Sequence, residues 1–383
     1  MSVTSAKGFR AAGIAAGIKE SGNPDLALVV NDGPLQAAAG VFTSNRVKAA
    51  PVVWSEQVLK AGTVAAVVLN SGGANACTGP AGFQDTHKTA EEAAALLGAS
   101  AAEIAVCSTG LIGVRLPMDA LLSGLKTATD ALADDGGLAA ATAIMTTDTV
   151  AKTAEADGSG YVVGGMAKGA GMLAPGLATM LVVLTTDAVV GADVLDSVLR
   201  NAAKVTFDRV DSDGCMSTND TVLLLASGAT EVEPDPAELL TAVTAVCADL
   251  ARQLVGDAEG ATKDIAVEVV NAASEDDAVQ VAKAVTRSNL FKCAMYGNDP
   301  NWGRVLSAVG TTDAQFEPDR LSVAINGVWV CRDGGVGDDR DLVDLTGREV
   351  HVTIDLAAGQ DGATVWTNDL TPGYVHENSA YSS

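Results

Sequence analysis

A layered α+β fold with stacked sheets is the class this 383-residue sequence predicts. Three observations point there: short β-rich runs recur from end to end, helical patterns fall between them without strict alternation, and roughly the last 65 residues read almost entirely as strand. In chain order the apolar runs are LALVVN (27–32), VAAVVLN (64–70), IAVCSTG (104–110), TMLVVLTT (179–186), TVLLLASG (221–228), IAVEVVNA (265–272), LSVAINGVWV (321–330), VHVTIDL (350–356) and ATVWTND (363–369). Most are bounded by Gly, Asn or Asp, residues that close strands because they tolerate turn conformations. Helical patterns occupy 86–97, 118–133, 190–206, 236–256 and 275–292. Pro236 suits the first turn of its helix, since it lacks the N–H that would go unpaired there. Ser274, with Asp277 three residues on, has the spacing of a capping box. No linker, low-complexity tract or 20–50-residue repeat marks a domain boundary.

Composition excludes several functions. With 48 acidic against 24 basic residues the formal net charge is −24, which opposes sequence-independent binding to nucleic acid or to an anionic membrane surface. The apolar part of the N-terminal stretch is interrupted by glycines and closed by Lys19, unlike a signal-peptide core, and no apolar run approaches the ~18 residues of a membrane helix. The six cysteines are widely spaced with no C-x-x-C pair, which suggests a reducing compartment, and a cytoplasmic protein is expected.

Familiar catalytic patterns are missing. The three histidines have no H-E-x-x-H spacing, the cysteines do not cluster, G-x-S-x-G is absent, and no glycine loop leads to a Walker lysine. GAGMLA (169–174) precedes a strand rather than linking strand to helix, which discounts a dinucleotide fingerprint. DSDG (211–214) lacks the remaining ligands of a calcium loop and reads as a turn. An acyl-transfer enzyme so poor in histidine needs another base. A chain that cuts itself before a Thr, Ser or Cys supplies one, because the freed α-amine (reference pKa ~7.7–8.0) can take the hydroxyl proton. Such a cut requires an attacking hydroxyl, a small preceding residue and a constrained backbone. APGLATM (174–180) offers Pro175 and Gly176, the small Ala178, and Thr179 at the head of a strand. Taken alone, this stretch fits Thr179 better as an ordinary strand residue after a Gly-Pro turn than as a nucleophile.

Taken together, several stretches say more. KGAGMLAPGLATML (168–181) resembles the cleavage signature of the ornithine acetyltransferase family, and the resemblance covers essentially the whole chain. GFRAAGIAAGIK (8–19), LNSGGANACTG (69–79), CSTGLIG (107–113), IMTTDT (144–149), FDRVDSDGCMSTNDT (207–221), GDAEGATK (256–263), DPNWGR (299–304) and ENSAYSS (377–383) follow in the family's order. One departure is Gly73, where the family more often has Asn. The resemblance implies an αββα sandwich of the N-terminal-nucleophile-like type shared with self-cleaving aminopeptidases. It implies a cut between Ala178 and Thr179, giving an α chain of 1–178 and a β chain of 179–383 assembled as an α2β2 heterotetramer.

It further implies Thr179 as nucleophile, its new amine as base, and Thr109 and Gly110 as oxyanion hole. Substrate contacts would come from Thr146, Lys168, Thr179, Glu259, Asn378 and Ser383. The reaction implied is ping-pong acetyl transfer from N2-acetyl-L-ornithine to L-glutamate in arginine biosynthesis, with no metal or organic cofactor. Some family members also use acetyl-CoA. A paralogue serving a secondary-metabolic pathway and a self-cleaving aminopeptidase are the alternatives.

Overall fold

The computed structural model describes residues 2–174 and 180–380, and its chain divides into two compact units. The first comprises residues up to 208 together with 215–257; the second comprises 209–214 and 258–382.

The first unit opens with strands β1 (Phe9–Ile14), β2 (Leu26–Asn31) and β3 (Ala37–Phe42), then helix α1 (Ala50–Val58), β4 (Ala66–Asn70), α2 (Gly79–Leu97), β5 (Ile104–Ser108), α3 (Met118–Asp130) and α4 (Gly137–Ala143). It continues with β6 (Lys152–Asp157), β7 (Val162–Lys168), β8 (Leu181–Thr186), α5 (Ala192–Val205), β9 (Thr221–Ala226) and α6 (Pro236–Gly256). One sheet has the order β1-β2-β4-β5 and the other β3-β9-β8-β7-β6. Ala27, Val29, Val67 and Leu69 of the first sheet share a core with Met166, Leu181, Val183, Leu223 and Leu225 of the second. The opposite face of the first sheet packs Leu28, Val68 and Val106 on Ala90, Ala93, Leu121 and Leu125 of α2 and α3. Helices α5 and α6 cover the second sheet. The layers therefore run α-β-β-α, as expected.

Several strands that apolar runs do not reveal, β1, β3 and β7 among them, are rich in alanine and glycine. Their small residues are needed where layers approach closely: a Cβ on Gly164 would lie 2.1 Å from the Ser2 carbonyl oxygen. Among the described residues α6 alone is long and apolar enough to cross a membrane. Its Leu239, Val243, Cys247, Leu250 and Leu254 are fully buried, so it is a core helix of this unit. The Asp235 side chain caps it by accepting the Ala237 N–H, a cap the sequence reading did not name, and Pro236 stands in the first turn as the sequence predicts.

The second unit contains β10 (Asp264–Ala272), α7 (Glu275–Thr286), α8 (Asn289–Tyr296), α9 (Trp302–Val309), β11 (Ser322–Ile325), β12 (Val328–Arg332), β13 (Gly335–Val336), β14 (Glu349–Asp355), β15 (Asp361–Asn368) and α10 (Pro372–Ala380). Its sheet order is β13-β12-β11-β14-β10-β15, packed on α7, α8 and α9. Two single runs in the sequence are each two elements here. The 321–330 run folds into the β11–β12 hairpin at Asn326–Gly327, both with positive φ (47° and 83°), the requirement of a tight hairpin turn. The 275–292 helix breaks at Arg287–Ser288, where the Ser288 hydroxyl accepts the Phe291 N–H and starts α8. Ser274 caps α7 by accepting the Asp277 N–H, as predicted. The C-terminal stretch is not all strand: α10 closes it.

The expected 178/179 cut does not coincide with the boundary between units. Strands β7 and β8 on either side of it are antiparallel neighbours, paired from Val163↔Thr186 to Lys168↔Leu181.

Candidate functional site

Thr109 and Gly110 follow the last residue of β5, where the chain leaves the sheet. The Thr109 N–H donates to the Asn70 carbonyl (2.9 Å), and its own carbonyl accepts from Gly73 N–H (3.0 Å). Gly110 has φ +129°, and a Cβ there would lie 2.7 Å from the Gly73 nitrogen and 2.9 Å from its Cα. Only glycine fits. Gly110→Ala is therefore expected to lower unfolding free energy by about 1–3 kcal/mol, visible as a lower urea midpoint; an unchanged midpoint would contradict this geometry. By contrast, a Cβ at Gly73 would meet only the terminal methyl of Leu116 (2.9 Å), the flexible end of a side chain.

Lys168 ends β7 with its side chain buried (2% exposed), and its Nζ donates to Thr109 Oγ1 at 3.3 Å. An ammonium carries donors only, so this hydroxyl must accept from it. Its own hydrogen remains free to donate elsewhere. Among the described residues the Gly110 N–H has no hydrogen-bond acceptor. Two donors from adjacent residues thus sit beside a buried cation, an arrangement suited to a developing oxyanion.

Asp148 ties these parts to Thr146. Its carboxylate accepts the Thr146 N–H (2.9 Å) and the Gly169 N–H (2.6 Å), and it pairs with Lys152 Nζ at 2.7 Å. Lys152, wholly buried, also reaches Asp257 at 2.5 Å. Burial alone would raise the Asp148 pKa, but the charges of Lys168 and Lys152 and these hydrogen bonds outweigh it and bring it down to about 2. Lys19 is half-buried nearby, donating to the carbonyls of Met145 (2.6 Å) and Pro24 (3.2 Å). Burial lowers its pKa, against the pull of Asp25 and with the push of Lys168. Two ammonium groups that feel each other's charge make this region attractive to a carboxylate, despite the chain's negative total.

The remaining expected site residues fall into two groups. Glu259 and Asn378 belong to the second unit and meet there, Asn378 Nδ2 donating to Glu259 Oε2 at 2.8 Å. Glu259 lines a pocket of about 210 Å³ within that unit, together with Asp213, Arg287, Lys292 and Tyr374. Burial pushes the Lys292 ammonium down to about 8, opposed by Asp213 and Asp211. Its Nζ donates to the Ser212 carbonyl and to Thr367 Oγ1 (3.0 Å). Ala178, Thr179 and Ser383 lie outside the described residues.

Sequence reasoning passed over Lys19, Asp148, Lys152 and Asp257. Asp148 stands inside a quoted motif, TTDT, so a signal existed. Nothing in the sequence announces that Lys152 and Asp257 are buried partners, 105 residues apart.

Residues 10–383 match the ArgJ family. The chain is 71% identical over 383 residues to the "Arginine biosynthesis bifunctional protein ArgJ" of Streptomyces coelicolor, and 72% identical to that of Streptomyces avermitilis, with 100% of each chain covered in both cases. Among solved structures it is similar to an ornithine acetyltransferase complexed with ornithine from Mycobacterium tuberculosis, 57% identical. That match covers 47% of this chain and 96% of the other, with a TM-score of 0.43.

Proposed function

The chain belongs to the ArgJ family and is an acetyltransferase of arginine biosynthesis, and from that premise we propose that it works as a self-cleaving enzyme with Thr179 as nucleophile. The Thr179 hydroxyl first attacks the carbonyl of Ala178, the C–N bond between them breaks as the acyl group moves to the oxygen, and water hydrolyses the resulting ester, leaving Ala178 with a carboxylate and Thr179 as a chain terminus with a free α-amine. That amine then takes the hydroxyl proton as Thr179 Oγ attacks the acetyl carbon of N2-acetyl-L-ornithine. Thr109 Oγ1–H and Gly110 N–H hold the oxyanion. Collapse breaks the amide C–N bond, the departing nitrogen takes the proton, and L-ornithine leaves an acetyl ester on Thr179. L-Glutamate's amine attacks that ester, giving N-acetyl-L-glutamate and restoring the hydroxyl.

The observation that carries this reading is the contact of Lys168 Nζ with Thr109 Oγ1, which commits the hydroxyl to accept from the ammonium and frees its hydrogen next to a Gly110 N–H that has no acceptor among the described residues. Lys168 and Thr146 are proposed for the carboxylate end of the substrate, and Glu259 and Asn378, with Ser383, for the ornithine side chain, whose ammonium suits a glutamate. No metal or organic cofactor takes part. The two fragments are proposed to assemble as a cytoplasmic α2β2 heterotetramer, which native mass measurement checks. That the Streptomyces coelicolor relative is a bifunctional protein of arginine biosynthesis favours a second donor, acetyl-CoA. Single-turnover labelling of Thr179 by acetyl-CoA tests it, and absence of label restricts the enzyme to acetylornithine.

Intact-mass analysis should give two chains, the second beginning at Thr179, with acetylornithine adding one acetyl to that chain. Free acetate should stay low until glutamate is added; rapid hydrolysis without an acceptor would indicate an aminopeptidase-like enzyme instead. Thr109→Val keeps the shape but removes one oxyanion donor. It should cut kcat by on the order of 10²–10³ with little change in KM, and steady-state kinetics giving a full wild-type kcat would remove Thr109 from the hole.

A further inference from the structure

Ornithine and glutamate carry side chains of opposite charge, yet a ping-pong enzyme takes them in turn. The carboxylate of Glu259 suits the ornithine ammonium and would repel the γ-carboxylate of glutamate. The pocket that Glu259 lines in the second unit also holds two cations, Lys292 of α8 and Arg287 in the turn before it. Lys292 is 5% exposed, and its ammonium has three hydrogens to place. Two go to the Ser212 carbonyl and to Thr367 Oγ1; among the described residues the third has no acceptor, and Lys292 forms no ion pair. A buried ammonium short of an acceptor carries a desolvation cost that a ligand oxygen would relieve. Arg287 is held by one edge only. Its Nε donates to Asp211 Oδ2 at 2.7 Å, and its two terminal nitrogens have no acceptor among the described residues. The other carboxylates of the pocket are engaged. Asp369 Oδ1 accepts the Thr262 and Lys263 N–H groups (2.9 Å each) and its Oδ2 the Thr262 hydroxyl, while Asp213 Oδ2 accepts the Tyr374 hydroxyl at 3.4 Å.

We infer that this pocket sorts the two substrates by side-chain charge: Glu259 takes the ammonium of ornithine, and Lys292 and Arg287 take the γ-carboxylate of the glutamate acceptor. The inference rests on the proposed placing of the ornithine side chain at Glu259 and names what recognises the acceptor that follows it. A carboxylate has lone pairs enough to accept from both cations at once, and such charge-assisted bonds are the strong ones. L-Glutamine has nearly the same shape, but its amide accepts through one oxygen only and turns an NH₂ group toward donors. It is therefore the acceptor this pocket rejects.

The test compares L-glutamate with L-glutamine as acceptor for the full enzyme, as kcat/KM at saturating acetylornithine. Wild type should prefer glutamate by on the order of 100-fold. Lys292→Met fills the space without the charge, and it should bring that preference below about 10-fold, the loss falling on glutamate. Arg287→Gln, at a half-exposed position, should lower the preference by about 10-fold, and this second variant decides the matter if the Met protein does not accumulate. A wild type indifferent between the two acceptors would overturn the inference. So would variants that lose both acceptors in equal proportion, because general damage to the unit would do the same. Glu259→Gln examines the underlying reading and should raise KM for acetylornithine by about 10-fold or more. An unmoved KM there removes the placing of the ornithine side chain, and this inference with it. A raised KM beside an intact glutamate preference in Lys292→Met and Arg287→Gln removes only the role of the two cations.

Discussion

Thr179→Ala is expected to give a single uncut chain of 38.5 kDa with acetyl transfer reduced by on the order of 10⁴–10⁶-fold. The size of the effect follows from one atom serving two reactions. Without the Thr179 oxygen there is no attack on the preceding carbonyl, no free amine to act as base, and no acceptor for the acetyl group. Folding should be little affected, since β8 begins at Leu181, its residues are all buried, and its ladders with β7 and β9 run from Leu181 to Thr186. Thr179→Ser, which retains a hydroxyl, should still cut. Intact mass and acetyl transfer measured on the same preparations decide the point. An uncut wild type that transfers acetyl at full rate would leave the N-terminal-nucleophile mechanism without support.

Lys152→Met is expected to lower unfolding free energy by about 3–5 kcal/mol, the usual cost of stranding buried charge. Lys152 is 0% exposed and lies between Asp148 and Asp257, whose side chains are 0% and 8% exposed. Methionine fills the space but leaves two buried carboxylates facing each other. Adding Asp257→Asn removes one of those charges, so the double variant should recover part of the loss. Asp148 also accepts the Thr146 and Gly169 N–H groups, so activity should fall along with stability. The acid response gives an independent reading. In the folded protein Asp148 titrates at about 2, below its ordinary 3.8. A depressed carboxyl stabilises the fold above its unfolded pKa and loses that contribution as pH falls through the folded value. For this residue that is about 2 kcal/mol, present above pH 4 and fading toward pH 2. Urea titrations of wild type across that window should show the fall. In Lys152→Met the step should move to higher pH, and a wild-type acid profile in that variant would show that the pair does not set the Asp148 ionisation.

The apolar strands were legible because β-branched and leucine-rich runs bounded by turn residues have few other ways to be buried. The β2, β4, β5, β8, β9, β10, β14 and β15 segments lie within one or two residues of their predicted runs. Strands built from FRAAGI, AAAGVF and VVGGMAK were not legible, since alanine and glycine carry little strand preference. Their place is set by close approach: a Cβ on Gly165 would meet Leu184, Val246 and Leu250 at 2.8–3.1 Å. The break at Ser288 and the Asn326–Gly327 turn were readable in principle, because each rests on a local residue whose turn or cap chemistry is known.

For the site, the sequence by itself determined which groups are available: a threonine after a small residue, an STG turn at the end of an apolar run, a lysine eleven residues before Thr179, and three histidines in no familiar catalytic spacing. Their order along the chain identified the family. Only the tertiary structure decided what each group touches. Thr109 meets Lys168 across 59 residues, and Asn378 meets Glu259 across 119. The physical reason is that hydrogen bonding and the burial of charge are properties of the packed interior. A lysine such as Lys152 reads in sequence as a solvated side chain until the fold encloses it and two carboxylates hold it there.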